Sequence, residues 1–300
     1  MLKETLPASP TIYKVAAGKQ YNQLQALAVW SNPDMLPKNY TAFTSYNSDE
    51  SAYVVSFNIQ TKTADTYLLA TGGDGLKKVN AASCKGAYIQ LSTAAFNNNQ
   101  YILGYDAASG AFDFYQVGTS QSLNPIYSFA GPTSLTTASL FTYRGALYFV
   151  GYNTNTGAVA YYQVTASGSG ITAAQIWSDT WAQGWTRFTF FQMALENFFF
   201  KTNTKYVNCN IDHIMDDPST GSHPVGTKLP LSQNLTVVQA FYFAGDVYFA
   251  TYLAADGSVT LNRFLASGQG WAEGASFATF KQGSAVVPLY QGTDTYLLFY

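Results

Sequence analysis

The feature that most limits what this chain can become is a self-similarity with a period of about 50 residues, close to the spacing of kelch-type propeller blades. Six apolar runs mark it: AYVVSF from Ala52, YILGY from Tyr101, LYFVGY from Leu147, FFFKTN from Phe198, VYFATY from Val247 and YLLFY from Tyr296. After four of them comes a polar turn and an alternating run, as in NTNTGAVAYYQV, with Gly110, Gly157 and Gly257 where a hairpin needs positive φ. The fourth copy deviates and reads TNTKYVNCNIDHI. A further strand-like segment precedes each hairpin, and several repeats add a short fourth one such as IYSFAG. Four short strands per repeat, alternating at period two with no helical pattern, predict an all-β, six-bladed β-propeller with four antiparallel strands per blade.

The sixth copy reaches Tyr300 with only its first strands present. Near the other end, PTIYKVAAG matches the missing third strand and ALAVWSN the missing fourth, so the N-terminal strands are expected to complete the last blade and close the ring. The expected blades of this one propeller domain are 40–80, 81–131, 132–184, 185–233, 234–282, and 283–300 with 10–32.

The segments TGAVAYYQV, IWSDTWAQGWTRFTFF and NIDHIMDDPSTG resemble β-propeller repeat proteins of the GWTxF / TGxVAIDRI type, several of which are lectin-like. The resemblance is best in the middle of the chain and implies blade architecture more than any activity.

Only 11% of residues are charged, against about 25% in an average domain, and the net charge is -2 with three arginines. That argues against nucleic acid as a partner, which needs a basic field. No apolar run reaches the ~20 residues of a membrane span, and the opening MLKETLPASP lacks a signal-peptide core. The expectation is a soluble chain without a membrane span, cytoplasmic or exported by a non-classical route; oligomeric state is left open. Cys84 and Cys209 form neither a CxxC pair nor a disulfide framework and read as free thiols.

Aligned third strands put Lys14, Gln116, Gln163, His213 and Arg263 in one column, with Leu68 the exception. Beside tyrosines and amides, such a column could line sugar pockets between blades, similar to those of propeller lectins; the alternative is a solvated outer face. Trp177, Trp181 and Trp271, near blade junctions, are read either as stacking platforms or as packing wedges. His213 and His223 share a loop-rich stretch with Asp212, Asp216 and Asp217, but the spacing matches no zinc or EF-hand frame, so no metal and no cofactor are expected.

Enzyme mechanisms find little to hold on to. There is no GxSxG elbow, no glycine-rich phosphate loop, no arginine cluster with Asp-box repeats, and no evident pair of carboxylates for glycoside hydrolysis. The leading expectation is therefore non-enzymatic, lectin-like carbohydrate or small-molecule binding at repeated inter-blade sites. The alternative is a propeller enzyme, a lyase, cyclase or hydrolase, with one central-channel site using Tyr, Asp and His groups, Asp212 and His213 foremost. A protein-interaction scaffold is the third.

Overall fold

A computed structural model of the chain describes residues 9–18, 24–32, 36, 39–167, 170–203, 207–230, 235–266 and 269–300. Its strands form six four-stranded antiparallel sheets. Blade I holds β3 (Ala42–Ser48), β4 (Ser51–Asn58), β5 (Thr63–Leu69) and β6 (Leu76–Ser83). Blade II holds β7 (Gln90–Phe96), β8 (Asn99–Asp106), β9 (Ala111–Val117) and β10 (Leu123–Ala130). Blade III holds β11 (Thr137–Tyr143), β12 (Ala146–Tyr152), β13 (Ala158–Ser167) and β14 (Gly170–Thr180). Blade IV holds β15 (Trp185–Met193), β16 (Glu196–Asn203), β17 (Asn208–Ile214) and β18 (Ser222–Pro230). Blade V holds β19 (Val237–Phe243), β20 (Asp246–Leu253), β21 (Ser258–Phe264) and β22 (Trp271–Ala278). Blade VI joins the two ends of the chain: β23 (Val286–Gln291) and β24 (Asp294–Phe299) pair with β1 (Thr11–Ala17) and β2 (Leu24–Ser31). The fold is the expected six-bladed propeller, closed by the N-terminal strands.

The apolar runs are the second strands, and their burial explains their composition. β16 and β24 are buried at every position but the first, because each is flanked in its sheet and covered on both faces by neighbouring blades. A strand buried on both faces is apolar throughout rather than alternating. The outer strands β6 and β10 alternate with water instead. A register shift interrupts each pairing of third with fourth strand, as between Thr66 and Tyr67 and between Leu261 and Asn262, and such bulges add twist that splays the blade outward.

The core is therefore divided into six wedges, one at each blade junction, rather than gathered at the centre. Cys84 and Cys209 are not joined by a disulfide and sit in different wedges. Around the axis, the first strands present an unpaired edge, and side chains satisfy it. The Ser45 hydroxyl donates to the Pro288 carbonyl at 2.6 Å, Thr93 to the Ser45 carbonyl at 2.6 Å, and the amides of Leu140 and Ala240 donate to Ser92 at 2.9 Å and Thr189 at 2.8 Å. Between blades V and VI the Tyr242 amide donates to the Tyr290 hydroxyl at 3.0 Å. Among the described residues only the III–IV junction lacks such a link between first strands; there Asn197, on β16, donates to the Thr142 carbonyl at 2.6 Å, and Phe141 stacks on Phe190 at 5.3 Å.

Candidate functional site

The third-strand column meets its own blade. Lys14 Nζ lies 2.7 Å from Asp294 Oδ2, Gln116 Nε2 donates to Asn99 Oδ1 at 2.7 Å, His213 Nε2 is 3.0 Å from Glu196 Oε2, and Arg263 Nη2 is 3.0 Å from Asp246 Oδ1. Each partner is the first residue of the second strand, within diagonal reach across an antiparallel pair. Gln163 has Ala146 at that place. Four of the five column residues thus make the same diagonal contact, one to a blade, and the column is spread round the ring rather than gathered into one pocket.

The tryptophans pack at blade junctions. Trp177 lies 4.8 Å from the Tyr161 ring and closes over Gly221, and Trp271 stands edge-on to Phe249 at 5.3 Å. Trp181 and Trp185 box in Lys201, whose ammonium is 4.0 Å and 4.9 Å from their ring centres, with Phe199 at 5.4 Å. Asp212 Oδ2 meets the ammonium at 2.7 Å, and both side chains are almost wholly buried. Burial lowers the pKa of Lys201 and raises that of Asp212, and the attraction between them opposes both shifts. Because successive strand residues point to opposite faces, Asp212 turns into this box while His213 turns away from it. The structure does not bring these two together.

What gathers around His213 is a set that spacing did not single out. Glu196 Oε2 lies 3.0 Å from His213 Nε2 and 3.5 Å from the Tyr143 hydroxyl. Tyr143 donates to Asp216 Oδ1 at 3.0 Å, and Arg144 Nη2 reaches the same oxygen at 3.0 Å. Five polar groups from blades III and IV thus form one chain of contacts from imidazole to guanidinium. Burial, then the bond to Asp216, then the Glu196 charge push the Tyr143 pKa up to about 12, so the hydroxyl keeps its proton near neutrality. Arg144 is held out on the two-residue turn between β11 and β12, where Arg144 and Gly145 have φ of 48° and 76° as a type I′ hairpin requires. Asp216 is fixed by its neighbour Asp217, whose carboxylate accepts from the Ser219 amide at 2.9 Å and caps a short turn. The Phe198 ring backs His213 at 5.0 Å, and His223 stands edge-on to it at 5.3 Å.

Beside this chain lies a hollow of about 340 Å³ lined by Asn97, Thr142, Tyr143, Arg144, Gly145 and Gln192. Thr142 and Gln192 also line a cavity of about 220 Å³ at the III–IV junction, which shares Thr93, Phe190 and Tyr242 with the central channel. The channel itself, about 410 Å³, is walled by hydroxyls and amides such as Ser45, Ser92, Thr189 and Gln239, with no carboxylate, imidazole or cation among its described lining residues. Its tyrosine hydroxyls are committed to the backbone: Tyr242 accepts from the Gln192 amide at 2.7 Å, and Tyr290 from that of Tyr242. The contact chain through Glu196 therefore stands between blades III and IV and not among the lining residues of the channel. Among the described residues no group of three His, Cys, Asp or Glu is placed to hold a metal ion, and no helix is long and apolar enough to cross a membrane.

A signal for the Glu196–His213 contact was present. Three of the four third-strand contacts join residues 17 apart in sequence, and subtracting that interval from His213 gives Glu196. Tyr143, Arg144 and Asp216 carry no such mark, since 72 residues separate Arg144 from Asp216.

No family model matches the chain, and no curated protein matches it. Solved structures do. A Bacteroides fragilis protein, provisionally assigned as a 6-phosphogluconolactonase, superposes with a TM-score of 0.58 at 13% identity, over 96% of this chain and 88% of its own. A counterpart from Bacteroides uniformis gives 0.58 at 11%, over 93% and 85%. The periplasmic gluconolactonase of Pseudomonas aeruginosa gives 0.56 at 12%, over 86% and 75%. At such identities the likeness establishes the fold. These neighbours carry enzyme names, and that finding overturns the expectation of a non-enzymatic, lectin-like ring with repeated sugar sites.

Proposed function

We propose that this propeller is a hydrolase with a single site at the rim of blades III and IV, opening a small cyclic ester such as a sugar lactone. The observation that carries the reading is the contact chain His213–Glu196–Tyr143–Asp216–Arg144, a base, its orienting carboxylate and a cation linked in series, two of whose members, Tyr143 and Arg144, stand on the wall of an open hollow. The names of the structural neighbours supply the substrate class.

Ring opening needs a deprotonated water, stabilisation of the oxyanion that forms on the carbonyl, and a proton for the departing ring oxygen. His213 takes the proton from water, Glu196 holds the ring in place and steadies the charge it acquires, and the same proton returns to the alkoxide as the C–O bond breaks. Arg144, the cation on the hollow's wall, faces the negative charge that develops on the carbonyl oxygen, and protonated Tyr143 keeps the guanidinium's partner Asp216 and the base's partner Glu196 in register.

The test is the rate of lactone opening above the spontaneous rate in buffer, with gluconolactone and its 6-phosphate as substrates. His213→Asn and Glu196→Gln are each expected to lower kcat by about 10²-fold or more, the usual contribution of a positioned base. A wild-type rate equal to buffer, or full activity in both variants, rules the proposal out.

A further inference from the structure

The charges around the hollow bear on which lactone enters it. Among the described residues that line the hollow and the adjoining junction cavity, Arg144 is the one cation. Its guanidinium is already engaged with Asp216. Around it stand Glu196 and Asp216, with side chains 38% and 70% exposed, and Asp217 on the same loop as Asp216. The rest of the lining that could touch a ligand, Asn97, Thr142 and Gln192, is neutral. The buried cation of blade IV, Lys201, is spent on Asp212 and enclosed by aromatic rings. A phosphate group bears nearly two negative charges at neutral pH. A site that recognises one offers several cations or a fork of free guanidinium donors, and this one offers a single arginine, shared with Asp216, in a field of carboxylates.

We infer that the site selects uncharged, hydroxylated lactones and discriminates against their phosphorylated forms, with Asp216 as the residue that sets this preference. The inference rests on the hydrolase reading and narrows it. Hydroxyls of a neutral substrate find partners in Asn97, Thr142 and Gln192, while an added phosphate is opposed by the charges of Glu196 and Asp216 just behind Tyr143 and Arg144.

The experiment compares kcat/KM for gluconolactone and 6-phosphogluconolactone on the full chain at low and high salt. The neutral lactone is expected to be favoured by about tenfold or more at low salt, the size of one or two like-charge contacts near a surface. Added salt should raise turnover of the phosphorylated form and leave the neutral one nearly unchanged. Asp216→Asn and, independently, Gln192→Lys should each narrow the ratio, the second by adding a cation to the hollow without touching the contact chain. Equal or better turnover of the phosphorylated lactone by the wild type, or a ratio that neither variant nor salt moves, overturns the inference and leaves the hydrolase reading standing. Turnover of neither lactone removes that reading, and the inference with it.

Discussion

Gly157 shows how a single backbone position can be both legible and irreplaceable. Its φ is 79°, and a Cβ there would press into the carbonyl oxygen of Trp181, whose amide bonds back to the Gly157 carbonyl at 2.9 Å. Gly157→Ala therefore combines a left-handed backbone with a backbone clash and should cost about 2 kcal/mol or more, read as a lowered urea midpoint. The reverse case is Leu195, 82% exposed at φ 68° beside Ala194 at 51°, in a turn type that favours Asn and Gly. Leu195→Gly should raise stability by about 0.5–1 kcal/mol, with an unchanged m-value. Sequence marks the first residue, because glycine at a turn has few other reasons to recur. It hides the second, because nothing about Ala-Leu announces a tight hairpin.

Blade IV is the element where sequence reading reached furthest and stopped shortest. Its apolar run FFFKTN placed a strand correctly, and the lysine inside that run is explained by the box that holds it. Removing one member, as in Lys201→Met or Asp212→Leu, should cost about 3–5 kcal/mol because the other charge is left buried alone. The double change Lys201→Met with Asp212→Leu should cost far less than the sum, and calorimetry of the four proteins of that cycle measures the coupling. Strands and their stacking could be read because each repeat writes the same burial pattern again. The candidate site could not, because its members meet across a blade junction: Tyr143 and Asp216 are 73 positions apart in the chain. Asp212 and His213, adjacent in the chain, were natural partners on paper and face opposite ways in the sheet.

At the scale of the whole ring, the closing blade is held in register by β1 against β24, with Thr11 opposite Phe299 and Val15 opposite Thr295. Lys14 and Asp294 sit on this seam. The bond from Lys14 holds the Asp294 carboxyl below its usual range, and the same bond raises Lys14. The carboxylate's share of stability is full above about pH 4 and is lost as pH falls through its lowered pKa; the ammonium's share is full below about pH 10.4 and is lost as pH rises through its raised pKa. The stability difference between the wild type and Asp294→Asn should be flat between those limits and shrink on both sides, and because both groups are partly exposed it should be small and weaken with salt. A difference that does not vary with pH assigns the seam's strength to its backbone bonds alone.

The pairing of β1 with β24 also fixes how the disc answers to force. Thr11 and Phe299 stand side by side at one end of an antiparallel ladder. A pull applied between them loads the rungs one after another, like a zip fastener, rather than shearing them all at once. A disc that resists heat through six interlocked wedges would then part at low tension along this one line, with every other blade still whole.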